Sequence, residues 1–360
     1  MEIVVDLKTN PYKILIRDGM LNEASSALAT FRPSSLFVLA DQHVADLYAA
    51  RLMDELARIG RPVSLITFAA GETSKSIDEV QRIWGDLLKK QIDRQSLLIA
   101  LGGGVTGDLA GFVAATILRG VRYVQIPTSL LAQVDSSVGG KVGINLAEAK
   151  NIVGSFWQPS LVLIDPALLH TLDKRQFVAG MAEVIKYAVI MDSPFFDYIE
   201  QHADEIQDIA PSIVIQIIAT CCQLKAQIVQ QDERETFGKR IILNYGHTFG
   251  HAIEQVFGYG TYLHGEAISI GMTMAARLAE KLKICAPDVG DRQTRLFARF
   301  GLPTELRDSD RVARQEEILD NMLLDKKNVQ GEYRLVLPTR IGEVMVADGL
   351  SRDTVAQAFA

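Results

Sequence analysis

Cysteine is nearly absent, with three in 360 residues. Cys221 and Cys222 are adjacent and diverge on a helix, and Cys285 stands alone. Neither a disulfide framework nor a cysteine metal site is available, so a reducing, cytoplasmic setting is expected. A surplus of positive charge is also lacking. The net charge of −7 argues against general binding to nucleic acid or to a membrane surface. Any anionic ligand must therefore be met by a local group of cations. The first ten residues carry Glu2 and Asp6 and no long apolar run, so they do not read as a secretory signal. The longest apolar stretch, 209–222, is interrupted by Pro211, Ser212 and Gln216. It reads as a buried helix, too short and broken to span a bilayer. Internal repeats and low-complexity linkers are missing as well.

What is present is an ordinary globular composition, 48% apolar and 22% charged, over a length that suits two domains. In the first half, short continuous apolar runs at 14–16, 36–39, 63–68, 97–101, 123–126 and 161–164 read as strands of a parallel sheet covered on both faces. Helical stretches at 41–59, 76–90 and 108–116 alternate with them. From about residue 166 the apolar period becomes helical, over 176–191, 211–232, 248–257 and 266–281. A β-like pair, 333–338 and 342–346, and a short closing helix follow. The expected fold is an N-terminal α/β nucleotide-binding domain with a Rossmann-like parallel sheet, residues 1–165. A mainly α-helical metal- and substrate-binding domain, residues 166–360, completes it. The active site is expected in a cleft between the halves.

Two segments suggest nucleotide chemistry. The run SLLIA-L at 96–101 leads straight into Gly102-Gly103-Gly104-Val105-Thr106-Gly107-Asp108. Such a strand, glycine turn and helix start lets backbone N–H groups approach a pyrophosphate. The motif departs from the usual dinucleotide fingerprint: it lies mid-domain, and no acid follows at the ribose-binding offset. A plain tight turn is the competing reading. Gly71-Glu72-Thr73-Ser74-Lys75 offers a carboxylate for ribose hydroxyls and a cation for phosphate; a solvated loop capping a helix is its ordinary alternative.

Three of the six histidines fall between His247 and His264. His247 and His251 are four apart and share a helix face, so spacing alone nominates them as a pair of metal ligands. His264 precedes Gly265-Glu266. Glu183 and Lys186 lie three apart on an otherwise apolar helix, where a buried carboxylate needs a partner such as a metal ion. Against these stand a helix-surface ion pair and core-satisfied histidines.

Taken together, GGGVTGDLAGF at 102–112, IPTSLLAQVDSSVGGKVGIN at 126–145, AEVIKYA at 182–188 and RIILNYGHTFGHAIE at 240–254 resemble the 3-dehydroquinate synthase family, over residues 71–327. The resemblance implies one divalent ion, zinc or cobalt, held by Glu183, His247 and His264, with His251 on the substrate. It implies NAD held by Glu72, Lys75, Gly104, Val105, Asp108, Thr128, Ser129, Lys141 and Lys150, with Gly71, Thr73, Ser74, Thr106, Gly107 and the turn Leu168, Leu169, His170 and Thr171 alongside. Around a substrate phosphate it places Lys141, Asn151, Asn244, His251 and Lys327, joined by Arg119 from a neighbouring subunit, hence a homodimer. Lys225 and Arg240 match a pair that holds a carboxylate, and Asp135 and Lys186 match polar residues around the reacting hydroxyls.

The chemistry so implied is transient oxidation of a heptulosonate phosphate by NAD, β-elimination of phosphate, re-reduction and an intramolecular aldol closure. Rival readings are a cyclase acting on a substrate without a carboxylate, a metal-dependent alcohol or glycerol dehydrogenase, and a non-catalytic nucleotide-binding protein. The cations at 225 and 240 argue against the first. The cationic phosphate set argues against the second, and the intact set Glu183, His247, His264 and Lys141 against the third.

Overall fold

The computed structural model describes residues 1–146, 149–258, 260–323 and 332–359, apart from the side chains of 308–313. In chain order its elements are β1 (Glu2–Val5), β2 (Tyr12–Ile16), α1 (Ala24–Ala29), β3 (Leu36–Asp41), α2 (Gln42–Ala57), β4 (Val63–Phe68), α3 (Ile77–Lys89), β5 (Leu97–Gly102), α4 (Gly104–Thr116), β6 (Arg122–Pro127), β7 (Lys141–Ile144), β8 (Val153–Phe156) and β9 (Leu161–Ile164). There follow α5 (Lys174–Met191), α6 (Ser193–Gln201), α7 (Ala203–Gln207), α8 (Pro211–Gln231), α9 (His247–Phe257), α10 (His264–Lys281), α11 (Pro287–Phe300), α12 (Asp308–Leu323), β10 (Tyr333–Arg340), β11 (Glu343–Leu350) and α13 (Arg352–Ala356).

The chain divides into two compact units. The first holds Met1–Leu172 and Val214–Arg234, and the second Asp173–Ile213 and Glu235–Ala360. This division differs from the single boundary expected at 165/166: most of α8 belongs with the α/β unit, so neither unit is one continuous segment. At 21 residues α8 is also long and apolar enough, by length and composition, to cross a membrane, which the interrupted apolar run did not suggest. Much of it is buried, 61% of its most apolar stretch. Cys222 Sγ contacts the Gln133 carbonyl at 3.3 Å, and burial pushes that thiol's pKa up to about 12.

In the first unit a seven-stranded sheet runs β1-β2-β9-β6-β5-β3-β4. Every neighbouring pair is parallel except β1–β2. The continuous apolar strands are explained by cores on both faces. Leu36, Val38, Leu97, Ile99 and Val124 pack with α1 and α2, whereas Phe37, Leu39, Leu98, Ala100 and Tyr123 pack with α3 and α4. After β3 the chain adds β4 on one side and then β5 on the other. The order therefore reverses between the carboxyl ends of β3 and β5, the position where open α/β sheets bind ligands.

In the second unit α10 packs against both α9 and α5. Glycine permits the close approach. A Cβ on Gly265 would collide with the Ala179 carbonyl oxygen of α5, and one on Gly271 with the Gly246 carbonyl oxygen at the start of α9. The antiparallel pair β10–β11 packs on α10 and α5.

Candidate cofactor and metal sites

The glycine run forms the sharp turn from β5 into α4. The helix starts at Gly104, four residues earlier than the periodicity predicts, because the glycines themselves form its first turn. Its N-cap is Gly103, and no side chain caps the first N–H groups, so those donors remain for an anion. A Cβ on Gly103 or Gly104 would stand 3.3 Å from Ser129 Oγ or 3.2 Å from Ser136 Oγ. The next loop is thus already laid against this backbone, and Thr128 N–H donates to the Gly102 carbonyl at 3.0 Å. Thr106 Oγ1 reaches Asp41 Oδ2 at the end of β3, 3.3 Å away. Val105 and Gly107 lie within α4.

The loop after β4 closes the other side. Gly71 has φ 113 and opens a 3-10 turn, Glu72–Ser74, that contains Thr73; Ser74 Oγ donates to the Ala69 carbonyl. Lys75 is buried and donates to Asp108 Oδ2 at 2.7 Å and to Asn151 Oδ1, with Glu72 Oε1 3.5 Å away. Burial raises the Asp108 pKa while Lys75 pulls it down. Lys150 Nζ is 3.9 Å from Glu72 Oε1. The residue that ties these together is Asn145, which the motif reading quoted but did not single out. Its Nδ2 donates to Glu72 Oε1 at 2.9 Å, its Oδ1 accepts from Asn151 N–H at 2.8 Å, and its own N–H donates to the Lys75 carbonyl at 2.8 Å. Lys141 begins β7, and Asn151, at φ 53, precedes β8. Leu168 and Leu169 are buried in the 3-10 turn after β9, Pro166–Thr171, where His170 and Thr171 are exposed. The predicted cofactor loops after β4, β5, β6 and β9 therefore all leave the carboxyl ends of parallel strands.

Two further groups lie in the same unit. Asp135 sits in a π-helical turn, Ala132–Ser136, a local feature that apolar periodicity does not reveal. Lys225 of α8 donates to the Asp135 carbonyl at 2.8 Å and pairs with its carboxylate at 2.9 Å. Arg119 is exposed, and it and Leu118 hold left-handed backbone at φ 66 and φ 52.

In the second unit, Glu183 of α5 meets the first residues of α9 and α10. His247 Nε2 and His264 Nε2 lie 3.4 Å and 3.8 Å from Glu183 Oε1. That oxygen is buried with no hydrogen-bond partner, while Oε2 accepts from Lys186 Nζ. His247 Nδ1 is 3.1 Å from the Tyr245 carbonyl, which can only accept, so the proton is on Nδ1 and the Nε2 lone pair points toward Glu183. Burial, with Lys186 nearby, pushes the His247 pKa well below 6.5, so the ring stays neutral, as a metal ligand must. A second carboxylate, Glu254, lies 3.0 Å from His264 Nδ1.

Glu183, His247 and His264 thus form a group with ligand atoms within 4.8 Å of one another. The pairing of His247 with His251 nominated by helical spacing is not this group. His251 is exposed and falls instead with Glu254 and His264. The i,i+4 rule found the shared face but not the helix opposite. Buried Arg240 lies in the 3-10 turn Lys239–Asn244, with Nε 3.4 Å from Glu235 Oε1, and half-buried Asn244 ends that turn. Lys327 lies outside the described residues.

Comparison with known proteins matches residues 65–179 to the model of the 3-dehydroquinate synthase N-terminal region and residues 180–328 to that of the C-terminal region. A 3-dehydroquinate synthase of Desulforamulus reducens is 48% identical, covering 95% of this chain and 94% of the relative. One from Rhodopirellula baltica is 44% identical over 99% and 96%. Among solved structures, 2-epi-5-epi-valiolone synthase from Streptomyces hygroscopicus, with NAD+ and Zn2+ bound, is similar with a TM-score of 0.89 and 27% identity, covering 98% of this chain and 97% of that one.

Proposed function

Since this chain belongs to the 3-dehydroquinate synthase family, we propose that it converts 3-deoxy-D-arabino-heptulosonate 7-phosphate into 3-dehydroquinate and phosphate, a step of the shikimate pathway, using NAD and one divalent ion. The observation that carries the reading is the buried Glu183 Oε1, which lacks a hydrogen bond and faces two imidazole nitrogens prepared as acceptors. A buried carboxylate oxygen left so is costly, and a divalent ion satisfies it together with both rings. The uncapped glycine turn, backed by Ser129 and Ser136, likewise fits a dinucleotide pyrophosphate. When bound, the two groups supply hydride acceptance and return, and Lewis-acid polarisation of oxygen.

The chain's own residues carry the rest. Glu72, Lys75 and Asp108 flank the glycine turn and hold the dinucleotide, with Thr128, Ser129 and Lys150. Lys141, Asn151, Asn244 and His251 surround the substrate phosphate and stabilise it as it leaves as an anion; Lys327 belongs to the same proposed set. Arg240 and Lys225 grip the carboxylate and so orient the carbon chain, Arg240 with a planar fork that lysine does not offer. Asp135 and Lys186 face the reacting hydroxyls. Arg119 completes the phosphate set from a second copy of the chain, and the enzyme works as a homodimer in the cytoplasm.

The test uses the purified protein with NAD and zinc and the heptulosonate phosphate. Phosphate release should run to completion with no net rise in NADH absorbance. Stoichiometric NADH accumulation would make the protein a dehydrogenase. Equally fast cyclisation of sedoheptulose 7-phosphate, which has no carboxylate, would remove the assignment to dehydroquinate.

A further inference from the structure

Glu254 is 5% exposed, a buried carboxylate on α9 that no step above uses. It lies seven residues after His247, two helical turns along the same face. Its Oε2 is 3.0 Å from His264 Nδ1. The backbone at His264 is fixed independently. Leu263 N–H donates to Glu266 Oε2 at 2.8 Å, and Arg175 of α5 grips both Glu266 oxygens, at 2.6 and 2.8 Å. These contacts set where α10 starts but do not themselves orient the imidazole. The carboxylate of Glu254 is what faces the ring's other nitrogen.

We propose that Glu254 is a positioning residue for the metal site: it holds the His264 proton on Nδ1 and the Nε2 lone pair toward Glu183. The inference rests on the metal reading above. A ligating imidazole usually gives its second N–H to a carboxylate or carbonyl, which fixes the tautomer and raises the basicity of the ligating nitrogen. The two histidines divide this between them. His247 uses the Tyr245 carbonyl, and His264 uses a charged partner, so Glu254 also adds negative charge beside the cation.

Zinc affinity of the full-length protein, measured by competition with a chromophoric chelator, tests this in E254Q, E254A, H264A and H247A. Loss of this outer contact should weaken zinc by about 10-fold in E254Q and about 100-fold in E254A, less than removal of the ligand in H264A. The isosteric E254Q keeps the test available if E254A does not fold. With cobalt, E254Q should keep the wild-type visible spectrum, because the ligand set is unchanged. In the metal-free protein, nitrogen NMR should find His264 protonated at Nδ1 in the wild type and divided between tautomers in E254A. Wild-type affinity in both Glu254 variants, with loss in H247A, overturns the inference and leaves the metal reading standing. Loss in E254Q equal to that in H264A, with an altered cobalt spectrum, overturns it by making Glu254 a ligand. Absence of zinc binding in the wild type overturns the metal reading beneath it.

Discussion

Lys186 and Glu183 are 2% and 1% exposed and pair directly, one turn apart on α5. Under the proposed metal reading, the ammonium is the partner of Glu183 until the ion binds. Without a metal, the ammonium is the main compensation for a carboxylate taken out of water. Removing one member of a buried ion pair leaves the other uncompensated, at a cost of about 3–5 kcal/mol. Lys186→Met should therefore destabilise the metal-free protein by about that amount in urea unfolding. Added zinc, which supplies positive charge at the same carboxylate, should recover much of the loss. A metal-free variant as stable as the wild type would show that Glu183 is not held as an anion there. At this scale the sequence was informative about residue type and less so about partners. Glu183 and His247 were nominated from the residues themselves, but the set with His264 in place of His251 was reached only through the family motif. Glu254 and Asn145 lay inside quoted motifs, but their contacts depend on how a turn and a second helix close on them.

Elements bring these residues within reach, and glycine decides how closely. Gly265 follows His264, and the Ala179 carbonyl that its missing Cβ avoids lies one turn before Glu183 on α5. Gly265→Ala should push α10 off α5, moving His264 away from the carboxylate. The expected result is a less stable protein, by about 1–3 kcal/mol as for other overpacked positions, and weaker zinc binding. Thermal melts with and without zinc, together with metal content, check both, and unchanged zinc affinity would show that the crossing does not set the site. The buried parallel strands were legible because both faces are covered and each run is continuously apolar. The strand β1 was not: it alternates exposed and buried residues and pairs antiparallel at the sheet edge. The four-residue strands β7 and β8 carry too little pattern to stand out. Helix α8 was legible as a helix, but its own periodicity does not say which core it enters.

For the molecule as a whole, the net charge of −7 leaves the meeting of any anionic ligand to local groups of cations. The proposed sharing of Arg119 between copies has a whole-molecule test. Arg119→Ala and His251→Ala should each be nearly inactive alone. After mixing and subunit exchange, half of the dimers are mixed and each has one intact site, so roughly a quarter of wild-type activity should return. No recovery would place Arg119 in its own subunit's site. The chain passes between its two compact units three times, after Leu172, Ile213 and Arg234. A single proteolytic cut at one passage leaves the units tethered by the other two. In inheritance the constraint is stricter: a recombination breakpoint anywhere from 173 to 213 hands on an α/β unit whose Lys225 and Cys222 come from another parent. Those residues must still meet Asp135 and Gln133, so such an exchange keeps the unit intact only where the two parents match at these contacts.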